Sequence, residues 1–346
     1  MSYQLFMDGF DYYATADLPK KWQVVPATSG VPYFKVDSAA GRRGGGCLYF
    51  NNGTGLNAND PIISRLFTPS THVVVGFAIK RNSLVLANSP MRVIFYSGNV
   101  AQVEFTQQGN TLNWSARRAD SATYVYSTGS NAFDVWDYIE LGVFCSNTGS
   151  FELRINGSTA RGIVNTAQDT YVSGSTLIDN IRISSAGTAM GLLRSIFWDD
   201  MYFAFGDELK FLGDSRIDTL NLTGNSTPQD WTPDTGNAWE RLNQDAGYIS
   251  SSTVNAVSLF NASDISHNPS LIHGVQVNGH AYKSDAGYRE SAMVLKSGAT
   301  TSVGTQLALS TDTLLIRDPY IVDPNTGAAF TKSGVNALEV GPKVTG

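Results

Sequence analysis

What most constrains this chain is a succession of short apolar or alternating runs, each closed by turn residues after roughly 8–12 positions. Val73, Val74, Val75 and Ile79 belong to a β-branched run of buried-strand length. Residues 91–96 follow, then the turn pair Gly98-Asn99. In residues 101–105, Ala101, Val103 and Phe105 alternate with Gln102 and Glu104. Gly109-Asn110 is the next turn pair, and residues 111–114 continue the meander. Residues 124–126 and 136–144 add two runs, and 151–155 ends on Asn156-Gly157, the pair that two-residue hairpin loops favour. Successive strand side chains point to opposite faces, so a period-two pattern buries one face and leaves the other in water. Helical spacing is confined to short stretches, of which 335–339 is the best candidate. The chain reads as all-β. Its 33 glycines and 16% charged residues, against a usual ~25%, suit strands joined by polar turns.

At ~100–200 residues per domain, 346 residues predict two domains. Charge divides the chain too. Residues 1–205 hold 15 acidic and 15 basic side chains, whereas 206–346 hold 15 and 9, so the whole net charge of -6 lies in the second part. Further strand-like runs at 272–278, 292–295, 306–309 and 313–316 predict a smaller β-sandwich there. No Lys or Arg run exceeds two, which removes the footprint of a nucleic-acid partner. No apolar run nears the ~18–20 residues that span a membrane, and the first residues lack the pattern of a signal peptide. Cys47 and Cys145 sit in strand contexts and read as buried small hydrophobes, so synthesis is expected in a reducing cytoplasm.

Two stretches carry resemblances. The opening Phe6-Met7-Asp8-Gly9-Phe10-Asp11-Tyr12-Tyr13 with Trp22, the run 151–157, the strand 178–183 and the acidic pair in Phe197-Trp198-Asp199-Asp200-Met201-Tyr202-Phe203 resemble concanavalin A-like (laminin-G-like) jelly rolls over residues 1–205. Residues 212–220, Asp230-Trp231-Thr232-Pro233, 248–251 and 323–330 are similar to a domain of tailed-bacteriophage virion structural proteins, over residues 206–346. The resemblance implies a concanavalin A-like jelly roll at 1–205 and a virion-assembly β-sandwich at 206–346. It further implies a virion location, other virion proteins and copies of itself as partners, and a host-surface glycan as a further one.

Candidate chemistry is sparse. Phe211-Leu212-Gly213-Asp214-Ser215 resembles the first block of SGNH-type esterases, and Asp264-Ile265-Ser266-His267 has the spacing of their base and its orienter. Only 52 residues separate Ser215 from His267, and no helical layers are predicted to build an α/β sheet around them. Asp199 and Asp200 are adjacent, so on a regular strand they point to opposite faces and cannot flank one glycosidic bond. Asp134 and Asp137 pose the same problem around Trp136. Laminin-G-like folds often hold Ca²⁺ at a loop rim, which makes Asp199 and Asp200, with Asp60, candidate ligands of a calcium ion; no other cofactor is expected. The four histidines show no zinc-like spacing. Among the aromatics, which include Tyr33 and Tyr49, Trp114, Tyr124 and Tyr126 are the candidates for stacking on sugar rings. With chemistry this sparse, the resemblance implies a non-enzymatic structural component of a phage virion, at the tail or tail tip. A head decoration protein and a carbohydrate-binding module are the alternatives, with an SGNH-like esterase ranked below them.

Overall fold

The computed structural model describes residues 3–24, 34–52, 62–82, 90–108, 111–185, 194–243 and 247–346. Tyr33, Asp60 and the pair Gly109-Asn110 lie outside them. The chain divides into two units, Met1–Ile217 and Asp218–Gly346. Residues 206–217, which the charge pattern groups with the second part, fall in the first unit.

In the first unit the strands run β1 (Tyr3–Asp8), β2 (Gln23–Val24), β3 (Phe34–Asp37), β4 (Cys47–Asn52) and β5 (Ile62–Ser70). There follow β6 (His72–Arg81), β7 (Met91–Ser97), β8 (Val100–Gln107), β9 (Asn113–Arg118) and β10 (Val125–Ser130). The series closes with β11 (Asp137–Phe144), β12 (Gly149–Ile155), β13 (Ser158–Gln168), β14 (Ile178–Ser185) and β15 (Arg194–Gly206). They form two antiparallel sheets. The first has the order β13-β12-β11-β6-β15-β4-β3, with β1 also on β15; the second has the order β10-β9-β8-β7-β14-β5-β2.

The inward set of each alternating strand meets between the sheets. Val73, Val75, Phe77, Ile79, Ile139, Leu141 and Val143 of the first sheet face Val93, Phe95, Val103, Phe105, Ile181 and Ile183 of the second. Each such side chain contributes roughly 1.5–3 kcal/mol by leaving water. Cys47 and Cys145 are wholly buried, and burial pushes both thiols up to about 12, as inert core residues should behave. The hairpin at Asn156-Gly157 has both residues at positive φ, 52° and 75°, as its sequence predicts.

β15 is the longest strand, and its two edges are used differently. One edge pairs with β6 from Ile196 to Gly206, with a break between Asp199 and Tyr202. The other pairs first with β4, at residues 194–198, and then with β1, at 201–206. Asp199 and Asp200 lie at the switch. The opening motif closes one end of the core: buried Asp8 accepts from Phe10 N (3.0 Å), the Tyr13 hydroxyl (2.9 Å) and Trp22 Nε1 (3.0 Å). Burial first, then the Asp8 charge, holds the Tyr13 phenol well above its ordinary range.

Residues 207–217 lie back across the outer face of the first sheet. Leu212 N donates to the Tyr202 hydroxyl (3.0 Å) and Gly213 N to Glu140 Oε1 (2.8 Å). The face fits this segment because it is glycine-lined. Phe211 covers Gly142, and the Tyr202 ring lies directly on Gly76.

The second unit is also all-β. Its strands are β16 (Leu222–Gln229), β17 (Thr232–Pro233), β18 (Ile249–Ser250), β19 (Ser258–Ala262) and β20 (Val275–Ala281). They continue as β21 (Glu290–Ser297), β22 (Thr300–Val303), β23 (Leu307–Ala308), β24 (Leu314–Tyr320) and β25 (Glu339–Val344). A six-stranded sheet, β16-β19-β25-β21-β22 with β23 on β21, is packed by the two-stranded β20–β24 sheet through Val277, Met293, Leu295 and Ile316. The short helix is Lys332–Asn336, slightly earlier than the apolar spacing predicts. Thr331 caps it by accepting from Gly334 N at 3.0 Å, so the cap sets its start.

Gly76→Val should cost about 1–3 kcal/mol, because a side chain there must displace the Tyr202 ring and with it the Glu140 hydrogen bond. Gly98→Asn, at a turn with φ 57° and open space, should be nearly neutral. Chemical denaturation of the two variants measures the contrast.

Candidate functional site

Two places in the first unit collect polar chemistry. One is the outer face of the second sheet. On β9, Trp114 and Ala116 point into the core, so Ser115 and Arg117 point out. Trp114 is fully buried and donates Nε1 to Asn131 Oδ1 at 2.8 Å. It presents no ring to a sugar, which corrects that candidate. Tyr126 pairs with Ser115, stands outward and is 60% exposed; Tyr124 is half-buried beside it, with ring centroids 6.1 Å apart.

Strand register continues this face inward as a row. Ser64, Arg182, Ile94, Glu104 and Arg117 are successive cross-strand neighbours from β5 through β14, β7 and β8 to β9. Glu104 is only 7% exposed and its carboxylate is fully engaged. It accepts from Thr106 Oγ1 (2.8 Å) and Arg117 Nη2 (3.1 Å), with Arg92 Nε at 3.7 Å. Arg117 lies over the Tyr124 ring at 4.7 Å and Arg182 over the Tyr96 ring at 3.9 Å. One carboxylate thus braces guanidinium groups whose outer surfaces face water, on a chain of net charge -6.

The other place is the partner switch on β15. There three residue steps on β15 match two on β6, between Asp199–Tyr202 and Ala78–Gly76, and Asp200 takes φ 49°. This bulge overturns the expectation that adjacent Asp199 and Asp200 diverge, because both carboxylates reach the glycine-rich turn 41–46. Asp199 Oδ2 accepts from Arg42 N (2.7 Å) and Oδ1 from Asp200 N (2.7 Å). Asp200 Oδ1 accepts from Ile217 N (2.8 Å), and Oδ2 lies 3.7 Å from Arg42 Nη1 and 3.8 Å from Arg43 Nε. Arg42 is bidentate to Asp214 at 2.5 and 2.8 Å. Both aspartates are nearly buried. Burial, then the neighbouring Asp200 charge, raises Asp199 to about 7, and burial raises Asp200 as well.

For the calcium reading, the donors around Asp199 and Asp200 are backbone N–H groups and arginines. Among the described residues no group of three or more His, Cys, Asp or Glu is placed to hold a metal ion. Glu140 has no counterpart in the sequence candidates. It is wholly buried on β11 and accepts from the Tyr202 hydroxyl at 2.6 Å. Its signal was a charged residue inside an otherwise apolar strand.

Ser215 belongs to the covering segment of the first unit, where its hydroxyl donates to Gly213 O at 3.2 Å. His267 belongs to the second unit and lies 3.5 Å from Asp218 rather than against Asp264. Every strand pairing described in that unit is antiparallel, so no α/β sheet surrounds them.

No protein-family model matches the chain, and no curated protein does. Solved structures do match. A sialidase aligns at 9% identity and a TM-score of 0.44, over 57% of this chain and 18% of its own. The endo-β-1,4-glucuronan lyase from the fungus Trichoderma reesei aligns at 14% identity and 0.41, over 54% and 91%. A carbohydrate esterase from the Shiga toxin-encoding bacteriophage phi24B aligns at 13% and 0.40, over 58% and 100%. This chain therefore spans less than a fifth of the sialidase but nearly all of the other two. The likeness is one of fold, a β-sandwich jelly roll found in carbohydrate-active proteins, one of them from a phage. The expectation of a non-enzymatic virion structural component is corrected on this finding: the sialidase, the lyase and the esterase are named for carbohydrate chemistry, and none of the three for a place in a tail or head.

The raised Asp199 carboxyl gives a pH signature. In the folded state it stays protonated up to about pH 7, whereas unfolded it ionises near ~4, so its contribution to stability is complete below ~4 and lost as pH rises towards 7. Asp199→Asn sacrifices one backbone acceptor and should be less stable at pH 5. Between pH 5 and 8 it should lose less further stability than the parent, by on the order of 1–3 kcal/mol. Denaturant midpoints at the two pH values decide this, and parallel pH profiles would refute it.

Proposed function

We propose that the first unit is a carbohydrate-active module that binds an acidic saccharide across the outer face of its second sheet. The observation that carries this reading is the cross-strand row centred on Glu104, with Arg92, Arg117 and Arg182 around it and Tyr96, Tyr124 and Tyr126 beside it. A carboxylate-bearing pyranose needs two things from a protein surface. Its charge needs guanidinium groups held in place, because a fixed fork loses little side-chain freedom on binding. Its apolar ring face needs an aromatic plane, which Tyr124 and Tyr126 supply at the sheet edge.

Glu104 acts as a brace. Its two oxygens fix Arg117 and Thr106, and neutralise part of the repulsion among the arginines. The surface keeps an excess of positive charge and is built on strands, which hold geometry better than loops. On this reading the glycan partner expected from the sequence meets two of the three aromatic candidates, Tyr124 and Tyr126.

Calorimetric titration with an oligoglucuronate and with a neutral β-glucan oligosaccharide of equal length tests the reading. The acidic chain should bind more tightly and lose affinity with added salt. Arg117→Ala and Tyr124→Ala should each weaken it about tenfold, near 1.4 kcal/mol. Equal affinity for the neutral chain, or full affinity in Arg117→Ala, would remove the proposal. Reducing-end analysis of the same mixtures measures turnover directly.

A further inference from the structure

The opposite surface of the sandwich carries a second row of a different kind. Lys35 pairs with Tyr49 across β3 and β4, Tyr49 with Phe197 across β4 and β15, and Phe197 with Lys80 across β15 and β6. Trp136 stands immediately before β11, whose Asp137 pairs with Ile79 beside Lys80. In sheet order the row reads Lys35, Tyr49, Phe197, Lys80, Trp136. Their strand neighbours Phe34, Leu48, Phe50, Ile79, Ile196 and Trp198 are buried in the core, so the row itself points outward.

The geometry of the row is that of a ribbon of rings with ammonium groups set into it. Tyr49 and Phe197 have centroids 5.0 Å apart at 32°, and Phe197 and Trp136 are 6.4 Å apart. Lys80 Nζ lies 4.7 Å from the Phe197 centroid and 5.0 Å from that of Trp136. Tyr49, Phe197, Lys80 and Trp136 are all half-buried, and Lys35 is exposed. Among the described residues neither Lys35 nor Lys80 has a hydrogen-bond or carboxylate partner. That differs from Arg92 and Arg117 of the other face, which are braced by Glu104.

We propose that this row is a second saccharide site, for an extended carboxylate-bearing glycan. The backbone positions of the two lysines are three strands apart, about 14 Å at ~4.8 Å per strand, with two ring-bearing strands between them. A linear chain laid across the strands would place apolar sugar faces on Tyr49 and Phe197 and bring carboxylates to Lys35 and Lys80. Ring packing against C–H groups and charge pairing at a partly desolvated ammonium act on the same ligand. A neutral glycan satisfies only the rings, and a small anion only the lysines. The site is independent of the face described under the proposed function, because it uses the other sheet and shares no residue with it.

Titration of the full chain with oligoglucuronate distinguishes the two. Two molecules should bind per chain. Trp136→Ala and Lys80→Gln should each abolish one of them or weaken it at least about tenfold, leaving the other unchanged, while Trp136→Phe should retain it. Arg117→Ala should weaken the other event about tenfold and leave this one. Should Trp136→Ala unfold the chain, Lys80→Gln carries the test alone. A stoichiometry of one that Arg117→Ala weakens overturns this site and keeps the other; a stoichiometry of one weakened only in Lys80→Gln does the reverse. Equal binding of the neutral oligosaccharide at the event that Trp136→Ala removes overturns the acidic class of its ligand.

Discussion

One irregularity organises the first unit, the extra residue in β15. In a regular strand Trp198 would point inward, Asp199 outward, Asp200 inward and Met201 outward. That register would drive a carboxylate into the apolar core and turn Tyr202 inward as well. The bulge absorbs Asp200, so that Met201 returns to the core and Tyr202 to the outer face over Gly76. Asp200, removed from the alternation, becomes available to Ile217 N and to the Arg42–Arg43 turn. The same position is where β15 exchanges β4 for β1 as its neighbour. The end of one strand and the loop leading to the other therefore meet there: Asp11 accepts from Gly46 N at 2.7 Å. An unpaired carboxylate in the core would cost several kcal/mol, which makes the bulge a requirement of this sequence.

From that point the outer surface of the first sheet is divided in two. Residues 207–217 are tied down at Tyr202, Glu140 and Asp200, and cover the half of the face that glycine leaves thin. Burial holds the Tyr138 and Tyr202 phenols well above their ordinary range, so at neutral pH both remain hydroxyl donors, Tyr138 to Asp200 O and Tyr202 to Glu140. Glu140 is the acceptor in this arrangement, and its N–H donor from Gly213 comes from the covering segment itself. Beyond the covered half, the outward residues of β3, β4, β15 and β6 become large aromatics and lysines. The sheet has switched from being a floor for its own chain to being a surface for something else.

The strands were legible because alternation is a local signal; the runs read at 91–96, 101–105 and 151–155 lie inside β7, β8 and β12, which extend each of them by one or two residues at an end. The burial of Trp114 has a local signal too. In Asn113-Trp114-Ser115-Ala116-Arg117 the apolar pair is Trp114 with Ala116, which places the indole on the buried side. The bulge was not legible, since nothing in Trp198-Asp199-Asp200-Met201 says which residue is the extra one. The rows were illegible for a different reason. Glu104 and Arg117 are 13 positions apart, and Phe197 and Lys80 are 117 apart, so their adjacency exists only once register is fixed. The covering segment's membership of the first unit was equally hidden, because net charge records composition and not packing.

The two outer faces differ in how their positive charge is held, and that difference has a functional meaning. On the second sheet the guanidinium groups are already bound to Glu104, to tyrosine rings or to backbone carbonyls, as Arg117 is to Ser121 O. A ligand there gains preorganised donors but must compete with part of an existing network. On the first sheet the ammonium groups rest on aromatic rings, which attract a cation without neutralising it. A ligand carboxylate there meets a whole charge, at the expense of the side-chain freedom of lysine. Preorganised arginines favour selectivity among acidic sugars, and lysines over rings, which carry a point charge without a fixed fork, favour tolerance of them.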